Sequence, residues 1–229
     1  MVAKSTSMQI KDFLGTKAFD ITPMCYAFAS HQNCIEVVKL LMNYDENPNS
    51  PSNDGSTPIQ MAAWDNHIEI VKLLMKSTGN LNAPMNDGTT PIFIAAQNNH
   101  IEIVKLLRKS TGNPNAPRST DGATPIIMAA HKNHIEIVKL LMEATNNPNA
   151  PMNNGLTPIY VAARNNHIEI LKLLMKATDN SNAAMNNGST PMSIATQKNH
   201  QEIVQLLGNY RFSQMMLKRE KEIKNIFFQ

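Results

Sequence analysis

Charge is scarce in this sequence. Asp, Glu, Lys and Arg make up 17% of it, and the formal net charge is +3. No block of like charges appears before the C-terminus. That is too little to argue for nucleic acid or an acidic membrane, and no nucleic-acid partner is expected. Cysteine is nearly absent: Cys25 and Cys34 are the two present. They read as reduced packing residues, which points to a reducing compartment. The cytoplasm is the expected location, with the nucleus as the alternative.

No apolar run approaches membrane-spanning length. Residues 1–15 hold Lys4, Lys11 and Asp12 and no long apolar segment, so no signal peptide is expected. Gly-rich loops are missing too; the glycines are isolated, which excludes a phosphate cradle. No nucleophile has a matched base, the nearest approach being Cys25 and His31 in one stretch. No enzyme activity and no cofactor are expected. Hydrophobic residues make up 42%, so the chain is not expected to be disordered.

What is present is repetition. T-P-I-Q-M-A-A-W-D-N-H-I-E-I-V-K-L-L at residues 57–74 returns, slightly altered, at 90–107, 124–141, 157–174 and 190–207. A looser copy begins at Thr22. The Gly before each Thr-Pro is Gly55, Gly88, Gly122, Gly155 or Gly188, giving steps of about 33 residues, in the range of helical solenoid repeats.

Each unit reads as turn, short helix, tight turn, longer helix. Asp54-Gly55 is turn chemistry. Thr57 suits an N-cap, and Pro58 suits the first helical position, where a missing N–H costs nothing. Gln60 stands three residues after Thr57, the capping-box spacing. Asn66 falls where the first helix must stop, and Asn tolerates the left-handed region. Ile68, Val71, Leu74 and Met75 then recur at helical spacing. Asn80 to Pro84 breaks the helix before the next turn. One unit cannot bury its apolar stripe alone; stacked units bury it between neighbours.

The pattern T-P-I-x-x-A-A-x-x-N-H-I-E-I-V-K-L-L, followed by G-N-x-N-A, resembles the ankyrin repeat over roughly residues 20–210. The resemblance implies an all-α ankyrin-repeat solenoid of about six helix-turn-helix repeats with β-turn tips. The expected organisation is an N-terminal capping segment at 1–20 and an array at 21–210. Its repeats run about 21–51, 52–84, 85–117, 118–151, 152–184 and 185–210. An amphipathic capping helix follows at 211–229. Gly208-Asn209 reads as a helix stop before it. An extra residue in the fourth repeat falls near Arg118, in a loop that absorbs it.

His67, His100, His134, His167 and His200 recur once per repeat. Stacking sets them on the order of 10 Å apart, whereas zinc needs ligands about 2 Å from one point. They read as framework residues bonded to nearby backbone, and no metal is expected. His131 and His134 stand three apart, but Asn133 between them is an expected turn.

The resemblance implies a protein or peptide partner, held by the turn tips and the exposed side of the first helices, which face a concave groove in the family. Within this chain, the positions that differ between copies are where binding would be encoded. The second residue after Thr-Pro is Gln60, Phe93, Ile127, Tyr160 or Ser193, where many ankyrin repeats have His. The residues after the paired small residues include Trp64, Asp65, His131, Lys132, Arg164 and Lys198. Leu156 follows a turn Gly. The expected site is an apolar strip of Trp64, Phe93, Ile127, Leu156 and Tyr160, with a flank of Asp65, His131, Lys132, Arg164 and Lys198. The alternative for Phe93, Ile127 and Tyr160 is the inter-repeat core.

A monomeric, non-enzymatic scaffold or adaptor is therefore expected. A second reading gives the work to the basic amphipathic segment after residue 210, at a membrane surface or another chain. Phe212, Met216, Ile223 and Phe227 fall near one face there, with Lys218, Arg219, Lys221 and Lys224 largely elsewhere. The loop residues Asn82, Asn115, Asn149 and Asn182 read as polar turn formers. By the resemblance, they match the place where ankyrin repeats are hydroxylated.

Overall fold

The computed structural model describes residues 32–42, 48, 50–76, 80–178 and 180–227, with side chains to residue 220. The expected N-terminal cap, the first helix of repeat one, Cys25 and His31 lie outside the described residues. Among those described there are eleven helices and no strand.

Two compact units share the chain. One is Met1–Pro114 with Arg118–Thr120; the other is Asn115–Pro117 with Asp121–Gln229. The first holds α1 (Ile35–Met42), α2 (Pro58–Trp64), α3 (Ile68–Leu74), α4 (Pro91–Gln97) and α5 (Ile101–Leu107). Here α2 packs on α3 and α4, α4 on α5, and the second helices run α1 on α3 on α5. The second unit holds α6 (Pro125–His131), α7 (Ile135–Met142), α8 (Pro158–Arg164), α9 (Ile168–Met175), α10 (Pro191–Gln197) and α11 (Gln201–Phe227). There α8 packs on α6, α9 and α10, α7 on α9, and α11 on α9 and α10.

In the second unit, the local reason for each short helix is a full set of partners for its N-terminal donors. An α-helix leaves its first N–H groups without partners inside the helix. In α8 the first residue is Pro158, which has no N–H. The next N–H, of Ile159, goes to Asn149 Oδ1 at 3.1 Å. The third, of Tyr160, goes to Thr157 Oγ1 at 3.1 Å. In α6, Asn115 and Thr124 do the same for Ile126 and Ile127. In α10, Asn182 and Thr190 serve Met192 and Ser193. Asn115, Asn149 and Asn182 are thus structural caps brought from ten or eleven residues away, and more than turn formers; the Asn82 side-chain oxygen, by contrast, is buried without a hydrogen-bond partner among the described residues.

Each first helix stops at an Asn in the left-handed region, with φ of 61° at Asn66 and 62° at Asn99. The following His N–H then reaches back to the helix, as His67 does to the Ala62 carbonyl at 2.8 Å. The paired alanines, Ala62 and Ala63 or Ala162 and Ala163, are fully buried and let helices approach closely. Ile70, Val71 and Leu74 and their counterparts fill the space between neighbours, each worth roughly 1.5–3 kcal/mol of burial. The opposite face of the second helices carries exposed Glu–Lys pairs, such as Glu69–Lys72 at 2.7 Å and Glu102–Lys105 at 2.8 Å. Exposed pairs of this kind contribute little stability.

Turn tips are held to one another. Asn86 N–H donates to the Asp54 carbonyl and its side chain to the Asn53 carbonyl, at 3.2 and 3.1 Å. Asn186 bonds Asn154 and Asn153 in the same way, at 3.0 and 3.1 Å. Inside each tip, the residue before Gly accepts the N–H two positions on: Asp54 from Ser56, Asp87 from Thr89, Asn154 from Leu156.

The expected helix stop at Gly208-Asn209 is absent: α11 runs unbroken from Gln201 to Phe227. A single Gly costs a helix interior only about 1 kcal/mol. Here the neighbouring residues anchor it, with Leu207 buried and Tyr210 Oη donating to the Thr178 carbonyl at 2.8 Å. Beyond Tyr210, every residue from 211 to 220 is exposed except Gln214, so this part of the helix does not cover the last repeat as expected.

Candidate functional site

The residue two after each Thr-Pro is the first test of the expected strip. In the first unit Phe93 is 1% exposed, and the Arg118 guanidinium carbon lies 5.1 Å from its ring centroid. The inserted loop residue therefore closes over the ring, in cation–π geometry. In the second unit Ile127 is buried, and so is Tyr160, whose hydroxyl meets Ser189 Oγ at 3.0 Å. These three residues leave the exposed strip and join the core. The reason is their register: each is the third helical residue, where the side chain turns towards the next repeat's tip. Gln60 shows what that position can do. Its Oε1 accepts the Thr57 N–H at 2.7 Å, and its Nε2 donates to the Ala83 and Thr89 carbonyls, both at 3.0 Å. One fully buried amide thereby ties the helix start to the following loop and tip. Leu156 is half-buried.

The ends of the first helices are different. Trp64, the last residue of α2, is 53% exposed. Its carbonyl accepts from His100 Nε2 at 3.0 Å, so the backbone is pinned while the indole stands outside. Asp65 follows, half-buried, its N–H bonded to the Met61 carbonyl.

In the second unit the same place carries His131 at the end of α6 with Lys132 after it, Arg164 at the end of α8 and Lys198 after α10, all exposed. Their helices are packed neighbours, which sets the groups in a row. The backbone beneath is again fixed by the recurrent histidines. His167 Nε2 donates to the His131 carbonyl at 3.2 Å, with Asn165 Nδ2 beside it at 3.3 Å. His200 Nδ1 donates to the Ala163 carbonyl at 2.9 Å. His100, His167 and His200 are thus framework donors to the preceding repeat, as their recurrence implies. Among the described residues no group of three His, Cys, Asp or Glu is placed to hold a metal ion. Among the described residues, no titratable side chain lines the two surface depressions in the second unit, one around Asn149 and Asn180 and one around Asn199 and Gln205.

Two framework groups are electrostatically perturbed. Asp54 is held down at about 2 by hydrogen bonds from the Ser52 and Ser56 hydroxyls and the Ser56 N–H. Lys172 is raised by its hydrogen bond to Glu169, with Glu202 of the next repeat adding to it.

This arrangement is matched by known proteins. The family described as ankyrin repeats (3 copies) matches in five overlapping stretches, residues 8–84, 24–118, 78–153, 110–184 and 144–215. A crystal structure of an ankyrin repeat domain from Acinetobacter baumannii AYE is 26% identical, with a TM-score of 0.73. The similarity covers 81% of this chain and 96% of that one. No curated protein matches the sequence. The chain belongs to the ankyrin repeat family, and its fold is the all-α ankyrin solenoid. Ankyrin repeats are in general protein–protein interaction modules and typically not enzymes. Among the described residues no helix is long and apolar enough to cross a membrane.

Proposed function

We propose that this protein is a non-enzymatic scaffold or adaptor that binds a partner protein or peptide through its β-turn tips and the exposed ends of its first helices. The observation that carries this is exposure at the ends of the first helices, where otherwise near-identical repeats differ: Trp64 in the first unit, and His131, Lys132, Arg164 and Lys198 in the second. The backbone at that position is fixed by His100, His167 and His200. A side chain on a fixed backbone binds with little ordering cost. Trp and Arg are among the residues most often found as hot spots. The basic row selects an acidic partner and speeds its approach. The protein acts as a monomer in the cytoplasm or nucleus.

A quantitative pull-down tests this reading. It compares the intact chain with Trp64→Ser and with the pair Arg164→Glu and Lys198→Glu, each first shown to be folded by circular dichroism. Partners retained by the intact chain and lost from the variants support the reading. Equal retention by all three overturns it. Buried positions are avoided, since Phe93→Ser or Tyr160→Ser would damage the fold itself.

A further inference from the structure

The C-terminal helix changes its apolar face part-way along. In its first half Ile203 and Leu207 are buried against the last repeat. Phe212 and Met216 stand nine positions after these two in turn. At about 100° per residue, nine residues bring a side chain to roughly the opposite side of a helix. Phe212 is 62% exposed, and Met215 and Met216 flank it at 50% and 45%, while Leu217, 51% exposed, alone of these continues the packing face past the array. The exposed stripe is therefore not an overhang of the face that packs on the array. It points away from it, and the array cannot cover it. The sequence carries the same spacing on to Ile223 and Phe227 within the same helix.

Charge says what does cover it. Residues 211–229 hold Arg211, Lys218, Arg219, Lys221 and Lys224 against Glu220 and Glu222, an excess of three positive charges. The whole chain has a net charge of +3, so residues 1–210 are balanced and the entire excess sits in this segment. The small total had argued against an acidic surface; its placement reverses that argument for the tail alone. A second copy of the chain is a poor occupant, because pairing two such stripes would bring two positive excesses together.

We propose that residues 211–227 form an interfacial helix that docks on an anionic lipid surface. The stripe of Phe212, Met215 and Met216 enters the boundary between headgroups and acyl chains, and the basic residues meet lipid phosphates. Arg219 falls inside the stripe, and its long stem carries the guanidinium out to phosphate level. Docking of this kind needs no spanning segment. It is independent of the partner surface proposed above, which lies in residues 64–198. Together they make the protein an adaptor that carries a partner to a membrane face.

The test is vesicle co-sedimentation of the full chain. One set of vesicles is phosphatidylcholine with about one-third phosphatidylserine, and the other is phosphatidylcholine alone. The expected result is binding to the anionic vesicles, at least about tenfold weaker to the neutral ones. F212S/M216S and K218E/R219E should each weaken anionic binding by about tenfold or more. Both pairs lie at exposed positions, so the thermal melt of the array should stay unchanged, which separates lost docking from lost folding. No sedimentation with anionic vesicles at low salt overturns the proposal. So does binding that survives F212S/M216S, which would leave only diffuse charge attraction. Sedimentation velocity is run in parallel: a dimer abolished by F212S/M216S would assign the stripe to a second copy and overturn the lipid assignment.

Discussion

Asn149 Oδ1 accepts the backbone N–H of Ile159 at 3.1 Å, reaching from the loop after one repeat to the first turn of the next. Asn149 is 8% exposed, so water is a poor substitute for the bond. Asn149→Ala should cost about 1–3 kcal/mol, because a buried donor is left unpaired. Asn146 in the same loop is exposed, and Asn146→Ala should stay within about 0.5 kcal/mol of the intact chain. Urea denaturation of the two variants checks the difference.

Gly155 and Gly188 have nearly the same backbone, with φ of +82° and +80°. Their surroundings differ. A Cβ on Gly155 would stand 2.8 Å from Asn186 Oδ1 and 2.9 Å from Asn186 N, whereas one on Gly188 would meet nothing within 4 Å. Gly188→Ala should cost about 1–2 kcal/mol, the conformational penalty alone. Gly155→Ala should cost more, because it also forces apart the tip-to-tip bonds of Asn186. Equal costs in thermal or chemical melts would mean that the tips do not constrain one another.

Much of this was legible in the sequence because folding physics repeats with the sequence. The Thr-Pro starts, the Asn stops and the paired small residues recur in phase, and Thr90, Thr124, Thr157 and Thr190 cap their helices as their chemistry implies, whereas the Thr57 hydroxyl makes no such bond. Three things were not legible. The direction of the third helical residue depends on the next repeat's tip, so the sequence alone leaves Phe93, Ile127 and Tyr160 open between an exposed strip and the inter-repeat core. The same dependence on distant chain hid the role of Asn115, Asn149 and Asn182, whose partners are ten or eleven residues away. The tail was misread for a different reason. Gly208 is a weak breaker, and the packing of Ile203, Leu207 and Tyr210 outweighs it.

Acid should weaken the first tip in a defined window. Asp54 has a folded value of about 2, below the unfolded value of 3.8. A carboxyl lowered by folding contributes stability above its unfolded value and loses it as pH falls through its folded one. Asp54→Asn removes the charge but keeps an acceptor. Its destabilisation should be full at pH 5 and above, shrink between about pH 4 and pH 2, and be modest throughout because Asp54 is exposed. Urea melts of both proteins across that range check the sign; a difference that grows on acidification would contradict it.

Trp64 and Phe93 separate binding from folding. Phe93 is sealed between its neighbours and Arg118, so Phe93→Ala should cost about 3–5 kcal/mol. Trp64 projects from a helix end and shares little of the core. Trp64→Ala should change stability by no more than about 0.5–1 kcal/mol. Trp64 is also the chain's one tryptophan, so its fluorescence reports the site directly. In the free protein it should be readily quenched by acrylamide, and guanidinium unfolding should change that accessibility only modestly. A shielded indole, or a Trp64→Ala loss near that of Phe93→Ala, would place the ring in the fold and remove it from the binding surface. Arg118→Ala offers a third point. It opens one side of Phe93 without touching Trp64, and should cost about 0.5–2 kcal/mol while leaving Trp64 quenching unchanged.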